Sequence, residues 1–329
     1  MTVTDPVPER YELACAVDPY RSGWTLERFL GHRFRYHPPE IWRERIDAGA
    51  VRVNGEIVGP GAILAKGDRV EYTILHAEPA VDFAFDVLHE DDHVLAVSKS
   101  GNLPVHAGGK FIRNTLIARL RQDWGRELRL AHRLDRETSG IVLLAKTKAA
   151  ARALELEFRE RRVEKRYVAI VRGEIPAELV VDAPIARREP VEPPYPRVVD
   201  RARGKAAVTR FERLAVGSHA AEPGLGLSLV AAVPEGGRTN QIRVHAAHAG
   251  HPILGDKIYG IPAELAREYE REGESERIVA AAGAPGHLLH CARLRVRHPA
   301  HGEWLGLEAP VPERFRRYWR GPEIDSSND

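Results

Sequence analysis

Cysteine is nearly missing from this 329-residue sequence: there are two, Cys15 and Cys291, far apart. So distant a pair builds no disulfide framework and points to a reducing compartment. Long apolar runs are missing as well. No stretch approaches the ~18 apolar residues that a membrane helix needs, and the first residues show no basic-then-apolar leader. A cytoplasmic protein, off the membrane, is the expectation. Net charge is scarce too, because 49 basic residues against 47 acidic ones leave only +2. So balanced a chain does not attract nucleic acid by its overall field, and any polyanion surface must come from local arginine clusters.

Apolar residues make up 43% of the chain, enough for one large domain and a small one. Residues 1–22, with weak periodicity, read as an N-terminal arm. From Trp24 the pattern tightens: Leu26, Phe29 and Leu30 follow Thr25 at helical spacing. Pro38-Pro39 opens a second helix through Ile46 that ends near Gly49. Val51-Arg52-Val53, Asn54-Gly55 and Glu56-Ile57-Val58 read as a hairpin with a type I′ turn, and a strand runs from about Val70 to Ile74. These two helices, Gly49-Ala50-Val51-Arg52-Val53-Asn54-Gly55, and then Lys66-Gly67-Asp68 resemble the small RNA-binding module named after ribosomal protein S-four. That resemblance covers 23–76. It implies that Arg28, Arg43, Arg45 and Arg52 meet phosphates; the nearly equal number of acids leaves a plain solvated face as the alternative.

Residues 77–84 read as a linker. Phe85 to Lys99 then gives two strands around an acidic turn, and Thr115 to Trp124 a helix. Next comes the most informative stretch, 131–146: Ala-His-Arg-Leu-Asp-Arg-Glu-Thr-Ser-Gly-Ile-Val-Leu-Leu-Ala-Lys. Ile141 to Leu144 has the look of a buried strand. Just before it, Asp135 stands between Arg133 and Arg136, an arrangement that favours the ionised carboxylate. Such a group on a loop entering a core strand suits a nucleophile or an electrostatic anchor. From the residues alone, a surface loop with local ion pairs fits equally well. Further on, Thr147 caps a helix with Ala150, Leu154 and Phe158 on one face. Val163 to Val171 alternates as a strand. Residues 183–203 read as an irregular excursion, 216–226 as a flexible tip and 261–286 as a helical insertion. Thr239 fits a helix N-cap, with Arg243 near the helix start and Gly250 at its end.

The string His132-Arg133-Leu134-Asp135-Arg136-Glu137-Thr138-Ser139-Gly140 resembles the signature of the RluA-type pseudouridine synthases, in which the aspartate is catalytic. Lys165-Arg166-Tyr167 resembles the family's second motif. The third is matched by Gly236-Gly237-Arg238-Thr239-Asn240-Gln241-Ile242-Arg243-Val244-His245, and the closing motif by Leu288 to Leu294. The resemblance spans 23 to about 312. It implies an α+β fold: a mixed, largely antiparallel sheet in a catalytic domain over 85–315, followed by a tail at 316–329. The implied catalytic set is Asp135, Tyr167 and Arg243, with Arg243 orienting Asp135 through a charge-assisted pair for which a guanidinium fork allows bidentate geometry. Tyr167 would stack on the base or accept a proton. Arg133, Arg136, Leu289, Arg238 and His106 would hold an extruded uridine.

The implied reaction, conversion of specific uridines of rRNA or tRNA to pseudouridine, needs no cofactor and no metal. The wording around Glu78-Pro79 and Pro104 to Thr115 is closer to tRNA-acting members. His245, His248 and His251 invite a metal reading, but zinc sites usually recruit cysteine or a carboxylate, and the family string accounts for these histidines. A monomer whose partner is RNA, with no obligate protein partner, is expected. Two departures from the family pattern, Ser100 for Pro and Asn240 for His, support a second reading: a catalytically silent RNA-binding or ribosome-assembly factor on the same scaffold. A nucleoside hydrolase using Asp135 and Glu137 as its carboxylate pair would have no use for an RNA-binding module.

Overall fold

The structure, a computed structural model, describes residues 8–34, 37–188 and 197–324. The chain divides into two compact units, 1–80 with Gly108–Ile112, and 81–107 with 113–329. In the first, β1 (Glu9–Ala16), α1 (Leu26–Arg33), α2 (Pro39–Asp47), β2 (Val51–Val53) and β3 (Arg69–His76) form two helices on a three-stranded antiparallel sheet, order β1-β3-β2. Thr25 caps α1 by accepting from Arg28 N at 3.3 Å. Leu26, Phe29 and Leu30 of α1 and Trp42 and Ile46 of α2 are buried against Tyr11, Val51, Val70, Tyr72 and Ile74. This is the i, i+3, i+4 stripe meeting the inward face of a sheet.

Three expectations for this unit need correction. Residues 9–16 are not an arm, because β1 zips along the whole of β3 and Tyr11 and Val17 enter the core; residues 1–7 lie outside the described residues. The turn at Asn54-Gly55 has φ of 53° and 85°, as a type I′ turn requires, but the returning strand shrinks to one Val53–Glu56 bridge. The ladder of β2 runs to β3 instead, and Asn54 fixes the corner by bonding Asp68 and Arg69 N. Nor is the stretch after residue 76 a free linker: Glu78 is buried and its carboxylate accepts from Ile112 N at 2.9 Å.

The second unit contains β4 (Phe85–Glu90), β5 (Val94–Lys99), α3 (Leu116–Trp124), β6 (Arg129–Leu130), β7 (Ser139–Ala145), α4 (Lys148–Arg159), β8 (Glu164–Arg172) and β9 (Glu178–Asp182). After these come β10 (Ile185–Arg187), β11 (Arg197–Val199), β12 (Val208–His219), β13 (Gly226–Glu235), α5 (Gln241–His248), α6 (Ala263–Glu272) and α7 (Glu276–Ala282). It closes with β14 (Leu289–Arg297), β15 (Trp304–Glu308) and β16 (Trp319–Arg320). Eleven strands make one sheet along the path β16-β12-β13-β8-β14-β7-β5-β4, with β15, β6 and β9 paired to β14, β7 and β12. All pairings are antiparallel except β7 with β14, so the sheet is mixed and largely antiparallel. β7 is buried at every residue, as a continuous apolar strand covered on both faces should be. Thr115 and Thr147 cap α3 and α4.

The long hairpin β12–β13 reaches His219 and Gly226, so 216–219 belong to a strand and the tip is shorter than expected. Within the excursion, β10 and β11 form a two-stranded ribbon, and residues 189–196 lie outside the described residues. Residues 316–324 are no loose tail: β16 pairs with β12, and Phe315, Trp319 and Ile324 are buried. Residues 325–329 lie outside the described residues.

The β7–β14 contact depends on Gly140. Its φ is +104°, and a Cβ there would lie 2.3 Å from Cys291 O and 2.7 Å from Cys291 N. Both obstacles are backbone atoms within the sheet, so no side chain can swing aside. Gly140→Ala is therefore expected to cost at least about 2 kcal/mol, combining left-handed backbone strain with overpacking. Urea unfolding checks this, and a wild-type midpoint for the variant would contradict it.

Candidate active site

The loop between β6 and β7 carries Asp135 in a tight turn, closed by Thr138 N donating to Asp135 O at 3.2 Å. The side chains that follow Asp135 are locked. Thr138 Oγ1 bonds His287 Nε2 at 2.8 Å, and Ser139 Oγ bonds His290 Nδ1 at 2.9 Å. Glu137 turns inward: its carboxylate accepts from His287 N and pairs with Arg136 and, at 2.7 Å, with Lys257. Burial opposes its charge, but His287 and Lys257 outweigh that and hold its pKa well below the usual range. The Asp135 side chain keeps 25% of its surface exposed and faces a cleft.

Across the cleft, α5 supplies Arg243. Unlike a surface helix, α5 buries Gln241 through Ala246 in succession. Gln241 Nε2 donates to Val208 O, and the two nitrogens of His245 meet Thr209 Oγ1 and Ala183 O. The Arg243 guanidinium donates from Nε and Nη2 to the two oxygens of Asp256, at 2.7 and 2.9 Å, and from Nη1 to Asp135 Oδ2 at 2.9 Å. The bidentate partner is thus Asp256, and Asp135 receives a single bond, which corrects the expected pairing. Burial works against the Arg243 charge, yet the two carboxylates outweigh it and raise its pKa well above the ordinary value. Asp256 is fully buried and also accepts from Ile258 N and Tyr259 N. The Tyr259 ring lies 5.1 Å from the guanidinium carbon.

Tyr167 comes from β8 and shares a hydrogen bond with Cys291 of β14; burial, reinforced by Cys291, pushes its pKa well above 10. It is therefore a neutral phenol. Asp135, Arg243, Tyr167, Arg133, Arg238 and Leu289 all line one cleft of about 560 Å³. Arg133 Nη1 donates to His106 Nε2 at 3.0 Å, so His106 backs an arginine instead of lining the cleft. Arg136 is likewise absent from the lining, because its guanidinium turns to Glu137 and to Tyr269 of α6. Thr239 is not the cap of α5; Asn240 occupies that place in left-handed backbone (φ 58°) without a side-chain cap.

Sequence reasoning missed Asp256, which stands alone after the apolar Pro252–Gly255 stretch, as an acid waiting for a buried cation would. It also missed Arg159, Arg161 and Lys165 on the cleft wall. Lys165 reaches Gly236 O, and burial lowers its pKa. Six cations thus face one carboxylate, Asp135, among the described lining residues. In the small unit, Arg28 lies over Trp24 at 4.2 Å, Arg43 pairs with Glu27, and Arg45 and Arg52 donate to Thr73 O and Gly55 O. The described residues contain no cluster of three or more His, Cys, Asp or Glu fit to hold a metal, and His251 Nδ1 is engaged by Arg172 O.

Two histidines, the half-buried His132 and the buried His290, make the loop sensitive to acid. His132 Nε2 accepts from Leu143 N, and His290 Nε2 faces Ala309 O while Nδ1 meets Ser139 Oγ. Both rings therefore serve as neutral tautomers. Burial pushes His132 down to about 3 and His290 down to about 4. Between these values and the unfolded value near 6.5 only the unfolded chain takes up the proton, so stability is full above about pH 6.5 and falls toward pH 4. His290→Asn should flatten that slope in urea titrations run from pH 7 to 4.5; an unchanged slope would contradict the assignment.

The family model described as RNA pseudouridylate synthase matches residues 93–248. The chain is 33% identical over 324 residues to the ribosomal large subunit pseudouridine synthase C of Salmonella typhi, covering 93% of this chain and 94% of that one. It is 33% identical over 321 residues to the protein of the same name from Escherichia coli, covering 92% and 94%. Among solved structures, human RNA pseudouridylate synthase domain containing 1 aligns with a TM-score of 0.58 at 27% identity, over 75% of this chain and 92% of that one. The two bacterial relatives are named for the ribosomal large subunit, whereas the wording of this chain looked closer to tRNA-acting members. A signature carboxylate held by a buried arginine in a cationic cleft, on a scaffold shared along nearly the whole chain, places this protein in the RNA pseudouridine synthase family.

Proposed function

We propose that Asp135 is the catalytic residue of this uridine isomerase and that the substrate is ribosomal RNA of the large subunit. The observation that carries the first part is the split use of Arg243. Its Nη1 fixes Oδ2 of Asp135, a residue that lines the cleft, while Oδ1 has no hydrogen-bond partner among the described residues. One oxygen is anchored and the other is left for the sugar. During isomerisation the bond from C1′ to N1 breaks, its electron pair leaves with the uracil, and C1′ becomes electron-poor. The carboxylate attacks C1′, or takes the proton from the neighbouring sugar carbon. After the ring turns, C5 bonds to C1′, C5 loses its proton and N1 gains one. Carboxylates serve electron-poor sugar carbons in the same way in glycosidases.

Tyr167, kept neutral by its surroundings, suits a stacking and hydrogen-bonding role under the base better than action as a phenolate. Leu289 packs beside it, Arg133 fills the space of the extruded nucleotide, and Arg238, Arg161 and Lys165 receive flanking phosphates. The small unit adds RNA affinity through Arg28, Arg43, Arg45 and Arg52. The choice of ribosomal RNA is supported by the names of the relatives. A single copy working in the cytoplasm fits these features, and no helix among the described residues is long and apolar enough to cross a membrane.

Asp135→Asn is nearly isosteric and should keep RNA affinity while tritium release from RNA labelled at uracil C5 drops below detection. Release at the wild-type rate would end the assignment. Arg243→Lys keeps a charge but cannot bridge Asp256 and Asp135 together. Its single-turnover rate at saturating RNA should fall by roughly tenfold or more, about 1.4 kcal/mol of barrier, with RNA affinity within about twofold. A weaker affinity with an unchanged rate would make Arg243 a phosphate contact. Carbodiimide mapping of total RNA with and without the enzyme identifies the uridine.

A further inference from the structure

Against the signature loop, and outside the cleft lining, sits a half-buried arginine that the chemistry described so far does not use. Arg314 belongs to a short 3-10 turn, Glu313–Phe315, near the C-terminal end of the described chain. The turn is anchored by Phe315, which is fully buried and meets the His290 ring edge-on at 6.3 Å. From there the Arg314 Nη2 donates to Glu137 O at 3.0 Å and lies 3.3 Å from His287 O and 3.4 Å from Ser139 Oγ. Three successive carbonyls of the loop are thereby occupied. Asp135 O accepts from Thr138 N, Arg136 O from Leu103 N and from Lys99 Nζ at 3.0 Å, and Glu137 O from Arg314.

The placement is costly. Among the described residues no carboxylate reaches Arg314 at ion-pair distance, Glu137 and Asp82 acting on it only from farther off, and its buried Nε has no hydrogen-bond partner. Burial lowers its own pKa, and burial with Arg314 nearby brings Lys99 down to about 7. Two cations that share a partly dry region destabilise each other, and a cation kept for stability alone would be expected to make a direct ion pair. The chain also makes room for this side chain. A Cβ on Gly101 would fall 2.2 Å from Arg314 Nη1 and 2.8 Å from its guanidinium carbon. Gly101 has no left-handed φ, so the space around Arg314 is the constraint on that position.

We infer that Arg314 is a positioning residue for the isomerisation: by holding the Glu137 carbonyl it sets the turn that aims Asp135 at Arg243. The inference rests on the reading of Asp135 as the catalytic group. Through Arg314, the C-terminal turn becomes part of the catalytic apparatus although it touches no substrate.

The test uses the full-length enzyme in excess over tritium-labelled RNA, so that misfolded molecules do not alter the rate constant at saturation. Arg314→Met should lower that rate constant by about tenfold or more, with RNA affinity within about twofold. Arg314→Lys, which keeps the charge without the fork, should fall in between. Gly101→Ala, which leaves Arg314 in the sequence but displaces its guanidinium, should reproduce the Arg314→Met rate. Adding Gly101→Ala to Arg314→Met should change nothing further, because both act on one contact. Wild-type rate constants for Arg314→Met and Gly101→Ala beside an inactive Asp135→Asn would overturn the Arg314 assignment alone. An active Asp135→Asn would overturn both readings. Equal losses in rate and RNA affinity in the Arg314 variants would make the residue part of the RNA-binding surface and overturn the positioning role.

Discussion

The arrangement turns on one buried ion pair, Arg243 with Asp256. Removing a guanidinium from water is expensive, and a buried arginine persists only where acceptors satisfy its fork. Asp256 accepts from two of the three guanidinium nitrogens and is itself held by two backbone amides. The third donor is left over, and it points at Asp135. That geometry decides orientation better than a direct Arg243–Asp135 fork would. A bidentate pair would occupy both carboxylate oxygens, whereas a single bond fixes the carboxylate and leaves one oxygen without a hydrogen bond among the described residues. The scaffold cooperates: α5 is buried so that Arg243 cannot reach solvent, and the parallel contact of β7 with β14 brings the signature loop beside Leu289 and the partner of Tyr167.

The charge pattern follows the same logic. Overall the chain is nearly neutral, yet the cleft wall gathers Arg133, Arg159, Arg161, Lys165, Arg238 and Arg243 around one acid. Local clustering does what net charge does not. The exposed side chains among these supply electrostatic attraction for a phosphate chain, screened by salt, while Arg243, buried and doubly paired, is withdrawn from that role.

Much of this was legible beforehand, for identifiable reasons. Helix caps at Thr25 and Thr147, the helix start near Thr115, the apolar run 141–144 and the Asn54-Gly55 turn are local signals, and local physics decides them. Asp135, Tyr167 and Arg243 were singled out through a resemblance carried by contiguous strings, and the fold gathers them in one cleft. What escaped depends on contacts remote in sequence. Asp256 acquires its role only when α5 folds over the following loop, and the bidentate partner was therefore misassigned to Asp135. Arg136 reads as a cleft residue until Tyr269, 133 positions later, turns it away. Residues 9–16 look unstructured because their partner strand lies some sixty residues downstream. Asn240 stands in left-handed backbone that its short polar side chain tolerates, and no sequence pattern announced that Thr239 would lose the cap.

The central claim is that Asp256 and Arg243 work as a unit to aim Asp135. A double-mutant cycle on the single-turnover barrier, using Asp256→Asn, Arg243→Lys and the combination, measures that directly. The account predicts strong non-additivity, with the double variant little slower than Arg243→Lys alone and a coupling on the order of 1 kcal/mol or more. Barrier increments that simply add would contradict it.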